Sequence, residues 1–340
     1  IAICEDIWHD SGVVPELAAR KPGVVLVANA SPYERKKDDR RLELVQRRAK
    51  EFSAPVIYVN QTGAQDDLVF DGDSIVVEAN GKVLARAPQF QNAFFATDLE
   101  LVPGSSSPDL DLGSEAASSP SQIPAMLADR LSDEEEIWSA LVMGLGDYVK
   151  KNGFRSVALG LSGGIDSAVV ATIAVDALGK ANVVGVSLPS KYSSDHSLAD
   201  AKALATNLGI DYRVIEIEPV VQSYLAATTL TGVAEENVQA RVRGSLLMGL
   251  SNQEGHLILA TGNKSELAVG YSTLYGDAVG GFAPIKDIFK VDVWRLARWR
   301  NQLALSRGEV APIPLNSIEK EPSAELRPGQ KDSDTLPPYE

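Results

Sequence analysis

At 340 residues the chain is long enough for two domains with ordinary cores, and its composition, 44% hydrophobic and 23% charged, is globular. A net charge of −14 argues against nonspecific nucleic-acid binding, since nothing offsets repulsion from a phosphate backbone; it leaves room for nucleotides, which need only a local cluster of donors. One cysteine, Cys4, excludes an internal disulfide framework, and no apolar run approaches a membrane span, so a cytoplasmic protein without a membrane partner is expected.

Ile1-Ala2-Ile3 reads as a buried strand already under way, and the chain stops as abruptly at Pro337-Pro338-Tyr339-Glu340, so a fragment shortened at both ends is expected. The first hundred residues are strand-rich, with β-branched runs over 24–27, 56–59 and 75–77. Between them, 38–52 has the period of an amphipathic helix, with Leu42, Val45, Ala49 and Phe52 on one face. Residues 101–128 follow as a linker, rich in Ser, Pro and Gly up to Gln122 and too poor in apolar surface to form a core element. Ser132-Asp133-Glu134-Glu135 is a capping box opening a helix with Ile137, Leu141, Leu145 and Tyr148 on its apolar face, stopped by Asn152-Gly153. Strands then alternate with helices: strands near 156–161, 183–188, 212–217 and 257–260, helices near 168–178, 195–208 and 235–250. That alternation predicts an α/β fold with a doubly wound parallel sheet, whose ligands sit at the carboxyl ends of the strands.

At the first of those ends lies Leu159-Gly160-Leu161-Ser162-Gly163-Gly164-Ile165-Asp166-Ser167. A Ser-Gly-Gly-x-Asp-Ser turn between strand and helix is a pyrophosphate cradle. Glycines let the backbone approach phosphate oxygens and turn N–H groups toward them, and the helix adds the positive end of its dipole. Ser162 and Ser167 supply hydroxyls, and Asp166 can hold a cation that bridges phosphates. No lysine follows the glycines, so this is not the loop that grips a γ-phosphate; it suits an enzyme that releases pyrophosphate whole and transfers AMP. The plain alternative, a Ser/Gly turn that binds nothing, would not need six fitted positions. Further on, Thr261 and Glu266 in Thr261-Gly262-Asn263-Lys264-Ser265-Glu266 can meet nucleotide and metal, and 270–281 is too glycine-rich for a plain connector, although a mobile surface turn has the same composition. Lys286 and Lys290 are placed to offset phosphate charge; a solvated helix-start lysine is the alternative for each.

The cradle resembles the phosphate loop of the ATP pyrophosphatases (adenine nucleotide alpha hydrolase-like proteins) that adenylate a substrate. The stretches 259–281, 283–290 and Ser323-Ala324-Glu325-Leu326-Arg327-Pro328-Gly329-Gln330 resemble the NAD synthetase family. The first half, through Ile3-Cys4-Glu5-Asp6, Asn29-Ala30-Ser31-Pro32-Tyr33, Val59-Asn60-Gln61-Thr62-Gly63 and Phe70-Asp71-Gly72-Asp73-Ser74, resembles a nitrilase-type glutaminase. The resemblance implies part of an α-β-β-α nitrilase-like sandwich over 1–100 and a synthetase domain over 129–340. It implies ATP and Mg²⁺, amidation of deamido-NAD to NAD through an adenylate, ammonia from glutamine, and a homo-oligomer. By motif, Gly160, Ser162, Gly163, Gly164, Asp166, Ser167, Thr261, Lys290 and Ser323 would bind ATP and its phosphates. Asp166 and Glu266 would bind the metal, and Asn237, Arg241, Arg243 and Asp277 the dinucleotide, although both arginines equally suit a solvated or paired helix surface. Cys4 would be the glutaminase nucleophile. Ser31 would contact glutamine, as would Lys37 of the basic run Arg35-Lys36-Lys37, for which a solvated loop is the alternative. The Glu and Lys that complete that triad precede the cysteine in the family and are not in this sequence. Other readings are a GMP- or asparagine-synthetase-like amidotransferase, which would lack the 270–281 loop, and a nucleotide-sensing module without turnover.

Overall fold

A computed structural model describes residues 1–101, 126–337 and 339, so nearly all of the expected linker lies outside the described residues. The chain forms two compact units, Ile1–Gly144 and Leu145–Glu340.

The first unit runs β1 (Ala2–Ile3), α1 (Val13–Arg20), β2 (Val25–Asn29), α2 (Lys37–Phe52), β3 (Val56–Asn60), a hairpin of β4 (Thr62–Gln65) and β5 (Leu68–Asp71), then β6 (Ile75–Val77), β7 (Val83–Arg86) and the start of α3 (Asp133–Lys151). The main sheet has the order β1-β2-β3-β6-β7, parallel across the first three strands and antiparallel beyond. Val25, Val27, Val56 and Tyr58 alternate into a core shared with Val14 of α1 and with Val45, Ala49 and Phe52 of α2. Ile1-Ala2-Ile3 departs from the buried strand expected. Ala2 alone is buried, while Ile1 and Ile3 are exposed with Leu26 and Val59, because the pleat sends alternate side chains to opposite faces.

The α2 face also holds what its apolar period does not announce. Arg41 and Arg48 are fully buried among the hydrophobes. Arg41 donates to both oxygens of buried Asp71 at 3.0 Å and lies 3.7 Å from Asp73. Arg48 is held by the carbonyls of Ile7 (2.7 Å) and His9 (2.9 Å) and by the carboxylates of Asp10 and Glu51. Each guanidinium is tolerated because acceptors meet its terminal nitrogens, although Arg41 Nε is left without a partner among the described residues.

The second unit continues α3 and runs β8 (Val157–Gly160), α4 (Ile165–Leu178), β9 (Val183–Ser187), α5 (Asp195–Leu208), β10 (Asp211–Val214), α6 (Glu218–Ala227), α7 (Val233–Glu254), β11 (Leu257–Ile258), α8 (Lys264–Val269), α9 (Lys290–Ser306) and α10 (Leu315–Glu319). The sheet is parallel in the order β10-β9-β8-β11. Every residue of β9 is buried, as expected of a strand covered on both faces. The chain moves from β8 outward to β9 and β10, then returns to place β11 on the other side of β8. The strand order therefore reverses beside the carboxyl end of β8, where a ligand crevice opens in this class of sheet. The helix after β8 begins at Ile165 rather than near Ala168, with Gly164 as its N-cap, so Asp166 and Ser167 stand in its first turn. Among the described residues no helix is long and apolar enough to cross a membrane.

Removing one partner of a buried ion pair leaves the other charge uncompensated. Asp71→Ala is expected to destabilise the first unit by about 3–5 kcal/mol, read as a lowered midpoint of its urea transition; an unchanged midpoint would remove the Arg41–Asp71 pair from the account of stability.

Candidate active site

The Ser162–Ser167 turn is made by close backbone approach. Gly163 has φ +79°, and a Cβ there would stand 2.3 Å from the Ser197 carbonyl oxygen on α5, so glycine is required twice over. The Gly163 carbonyl accepts from Ser317 Oγ at 3.0 Å. Ser162 Oγ accepts from the Gly164 N–H (3.2 Å) and lies 3.3 Å from Ser167 Oγ, which donates to the Gly164 carbonyl at 3.1 Å.

Asp166 extends from the first turn of α4 into a charged knot. One carboxylate oxygen accepts from Asn263 Nδ2 at 3.0 Å, and the other meets the Lys290 ammonium. Lys290, 2% exposed, lies 3.7 Å from Glu266 Oε1. Burial works to lower the Lys290 pKa, but Asp166 and Glu266 outweigh it and hold the ammonium charged. Burial, then the Asp166 charge, pushes the Glu266 carboxyl up to about 7 against the pull of Lys290. Asn263 is the hub the motif reading missed. Fully buried, it caps α8 through Oδ1 to the Glu266 N–H (3.1 Å), while its own N–H donates to Glu266 Oε2 (3.2 Å) and its amide reaches Asp166. Its signal was in the sequence, because Asn263-Lys264-Ser265-Glu266 has the spacing of a capping box.

Asp166, Glu266 and Lys290 line a cavity of about 590 Å³. Ser162, Gly164, Asp166, Ser167, Thr261, Glu266, Asp277, Lys290 and Ser323 all face it. A second chamber of about 240 Å³ at the ends of β8 and β9 adds Gly160, Leu188 and Arg243 and shares Ser162, Thr261, Asp277 and Ser323 with the first, which makes one bent cleft. Arg243 is pulled down to about 10 by burial, and its Nε donates to the Leu188 carbonyl at 2.9 Å. Burial raises the Asp277 carboxyl, whose Oδ1 accepts from the Thr273 N–H at 2.7 Å. Asn237 and Arg241 contact the 270–281 loop, Asn237 accepting from Thr273 Oγ1 (2.8 Å) and Arg241 donating to the Leu274 carbonyl (3.2 Å). Lys286 is exposed and outside this group. Ser323 uses its hydroxyl locally, donating to the Gln330 carbonyl at 2.5 Å and accepting from the Glu325 N–H at 3.1 Å.

In the first unit Cys4 follows β1 in left-handed backbone, φ +45°, at the head of a single 3₁₀ turn. A non-glycine residue there is sterically costly, and such positions cluster at functional sites. Ser31 is buried, its N–H donating to Asn60 Oδ1 at 2.9 Å. The phenol of nearby Tyr58 is pushed up to about 12 by burial. Of the basic run, Arg35 is committed to Asp133 in a bidentate pair (2.9 and 2.5 Å), while the Lys37 ammonium lies 5.9 Å from the Trp8 ring centre.

A glycine cradle at the switch point of a parallel sheet, with a carboxylate pair and a buried lysine beside it, defines an adenine nucleotide alpha hydrolase-like unit, here following a nitrilase-type one. The family model "NAD synthase" matches residues 137–340 and "Carbon-nitrogen hydrolase" matches 1–102. The chain belongs to the NAD synthase family. It is 48% identical to the glutamine-dependent NAD(+) synthetase of Synechocystis sp. and 44% identical to that of Aquifex aeolicus, aligning over 100% of its length with 60% and 62% of theirs. The structure of glutamine-dependent NAD+ synthetase from Acinetobacter baumannii in complex with ADP superposes with a TM-score of 0.82 at 40% identity, over 96% of this chain and 59% of that one. The chain thus spans about three-fifths of the length of these relatives.

Gly163→Ala adds a backbone clash to a left-handed φ and is expected to cost about 1–3 kcal/mol and to abolish binding of an ATP analogue. Gly179→Ala, also at φ +79° but with open space beyond its Cβ, carries the backbone strain without the clash, so it should melt lower by no more than Gly163→Ala and bind the analogue normally. Thermal melts and nucleotide titrations separate the two; equal behaviour would mean the clash at Ser197 does not shape the cradle.

Proposed function

We propose that the intact protein is a ligase that amidates nicotinic acid adenine dinucleotide to NAD with ATP and glutamine. The observation that carries the synthetase reading is the cleft itself, in which Ser162–Ser167, Thr261, Glu266, Asp277 and Lys290 converge although they lie apart in sequence. A carboxylate is a poor electrophile, and adenylation supplies it with a leaving group. In the proposed reaction the nicotinate carboxylate attacks the α-phosphorus of ATP and pyrophosphate departs into the cradle. Ammonia then attacks the acyl carbon and AMP leaves. The Gly164 N–H, the Ser162 and Ser167 hydroxyls, the α4 dipole and Lys290 are the donors for the departing pyrophosphate. The smaller chamber, with Gly160, Leu188 and Thr261, suits the adenosine, and Asp277 and Arg243 at the junction suit the dinucleotide.

The family implies Mg²⁺, and the residues present fit it. Asp166 and Glu266 turn their carboxylates toward one cation, the Lys290 ammonium. Such a pair suits an ion that takes one or two carboxylates and completes its shell with phosphate oxygens and water. Asp166 and Glu266 would hold it, and bound there it neutralises charge developing on the phosphates.

For the first unit the proposal is a glutaminase. Cys4 attacks the side-chain amide of glutamine to give a glutamyl thioester and ammonia, with Ser31 and Lys37 as substrate contacts and the activating Glu and Lys supplied by the longer protein. The proposed division is 1–100 for this domain, 101–128 for the linker and 129–340 for the synthetase. The lone cysteine supports a cytoplasmic compartment, and a homo-oligomeric assembly is part of the same proposal.

Mixing the full-length protein with ATP, Mg²⁺, deamido-NAD and ammonium should yield AMP and NAD in equal amounts; ADP formation or no turnover would reject the ligase reading. In that protein Asp166→Asn is expected to remove at least 99% of the AMP formed, a loss of about 3 kcal/mol of transition-state stabilisation, while leaving glutamine hydrolysis measurable. Near-normal pyrophosphate release would strip Asp166 of its role. Cys4→Ala should abolish NAD formation from glutamine and leave the ammonium-driven rate within about twofold, since the nucleophile is needed only to release nitrogen. Loss of both rates would make Cys4 structural.

A further inference from the structure

The cleft is walled on one side by a strap, residues 321–332, that crosses from α10 toward the Asp166–Lys290 knot. Ser323, Ala324 and Glu325 line both chambers, and Gln330 and Asp332 line the larger one. Hydrogen bonds brace it. Asp332 N–H donates to the Pro322 carbonyl at 3.0 Å, and Leu326 N–H to Gln330 Oε1 at 2.8 Å, which closes the strap on itself. Among the described residues, side chains tie this loop to the body at three places; one is Tyr271, whose hydroxyl donates to Asp332 Oδ1 at 3.4 Å. Gln239 of α7, 2% exposed, donates through Nε2 to the Leu326 carbonyl at 3.0 Å.

The third tie is Glu325. Its carboxylate accepts from Ser194 Oγ (2.7 Å), Ser197 Oγ (2.8 Å) and the Ser194 N–H (3.2 Å) at the entry to α5. Lys320 Nζ donates to the same Ser197 Oγ at 3.1 Å. Glu325 is also the strap's left-handed non-glycine residue, φ +49°, a conformation that its side-chain contacts must hold against steric cost. Its charge, like that of Asp277, acts on Arg243, the buried guanidinium of the smaller chamber. Ser197 also supplies the carbonyl against which Gly163 is packed. One carboxylate therefore links the strap, the α5 entry behind the cradle and the arginine of the nucleotide cleft.

We propose that Glu325 is a positioning residue for the synthetase reaction, the latch that holds the 321–332 strap closed on α5 and so sets Ser323 and the wall shared by the two chambers. This rests on the reading of the cleft as a nucleotide site. Glu325 acts through Ser194 and Ser197, without forming or breaking a bond in the reaction. When the competent closed state is only a fraction of the population, apparent affinity falls by that fraction while the chemistry of the bound complex persists. Loss of the latch thus raises KM and spares kcat.

The test uses the full-length protein with ammonium as nitrogen donor, so the glutaminase does not enter. Glu325→Ala is expected to raise the KM for ATP about tenfold, with kcat within about threefold of wild type. Glu325→Gln keeps chain length and an acceptor oxygen and should recover most of the loss. Because the partners act as a unit, Ser197→Ala added to Glu325→Ala should bring little further change. Hydrogen exchange of the 321–332 segment, read by mass spectrometry without nucleotide, should speed up about tenfold in Glu325→Ala and stay near wild type in Glu325→Gln. A kcat collapse with unchanged exchange would make Glu325 a direct reaction contact and overturn the latch; unchanged KM and exchange would overturn it outright. Inactivity of the wild-type protein toward ATP and deamido-NAD would instead reject the nucleotide reading, and exchange alone would still decide whether Glu325 latches the strap.

Discussion

The synthetase unit depends on one buried ammonium. Lys290 stands at the first position of α9, nearly sealed from water, with Asp166 of α4 and Glu266 of α8 turned toward it. Two carboxylates would not approach one another in a partly dry crevice without a cation between them. At an effective dielectric of about 20, opposite unit charges 4 Å apart attract by about 4 kcal/mol, and two such partners outweigh the burial that works against Lys290, so its pKa rises. The same interaction fastens three helices around the turn after β8. Asn263 completes it by bonding both carboxylate residues with one side chain. The geometry a polyphosphate would meet is thus assembled by the protein's own charges, which is what preorganisation requires.

Close backbone approach does the rest of the positioning, and it explains why the 270–281 loop is rich in glycine. A Cβ on Gly276 would stand 2.8 Å from the Ala240 Cβ, one on Gly244 would stand 2.8 Å from the Tyr275 carbonyl, and one on Gly280 would stand 2.6 Å from the Ala260 N–H. The loop is clasped between α7 and the end of β11. The composition that suggests a mobile turn is here a packing requirement, and its product is the fixed position of Asp277, braced by the Thr273 N–H. Asn237 and Arg241 belong to the same clasp.

What could be read in the sequence was what is local or periodic. The cradle was legible because strand, glycines and helix are contiguous, and the parallel sheet because helical and strand periods alternate. The α2 helix was legible as a helix, but not its buried Arg41 and Arg48, because their acceptors come from Asp71 and from Ile7–Asp10, segments that meet α2 only in the folded unit. The α9 helix was missed because its apolar stripe, Val293, Leu296, Ala297 and Ala304, is interrupted by arginines that read as a solvated stretch. Glu325 lay in a motif noticed for its likeness to a family, yet its role was invisible because its partners stand 128 and 131 residues earlier in the chain.

The chain carries a net charge of −14, which constrains how the proposed anion site would work. It cannot rely on a broadly positive surface. It would use neutral donors (glycine N–H groups, serine hydroxyls and a helix terminus) whose partial charges suit an anion without a net charge of their own. Its two buried cations are already matched, Lys290 by Asp166 and Glu266, Arg243 by the fields of Glu325 and Asp277. A polyphosphate entering the cleft adds negative charge to a site that is balanced or acidic beforehand, so the neutral donors alone cannot offset it. In the proposed reaction that imbalance is the electrostatic reason for a divalent cation beside Asp166 and Glu266, where the carboxylates that now steady Lys290 can share their charge with a second cation.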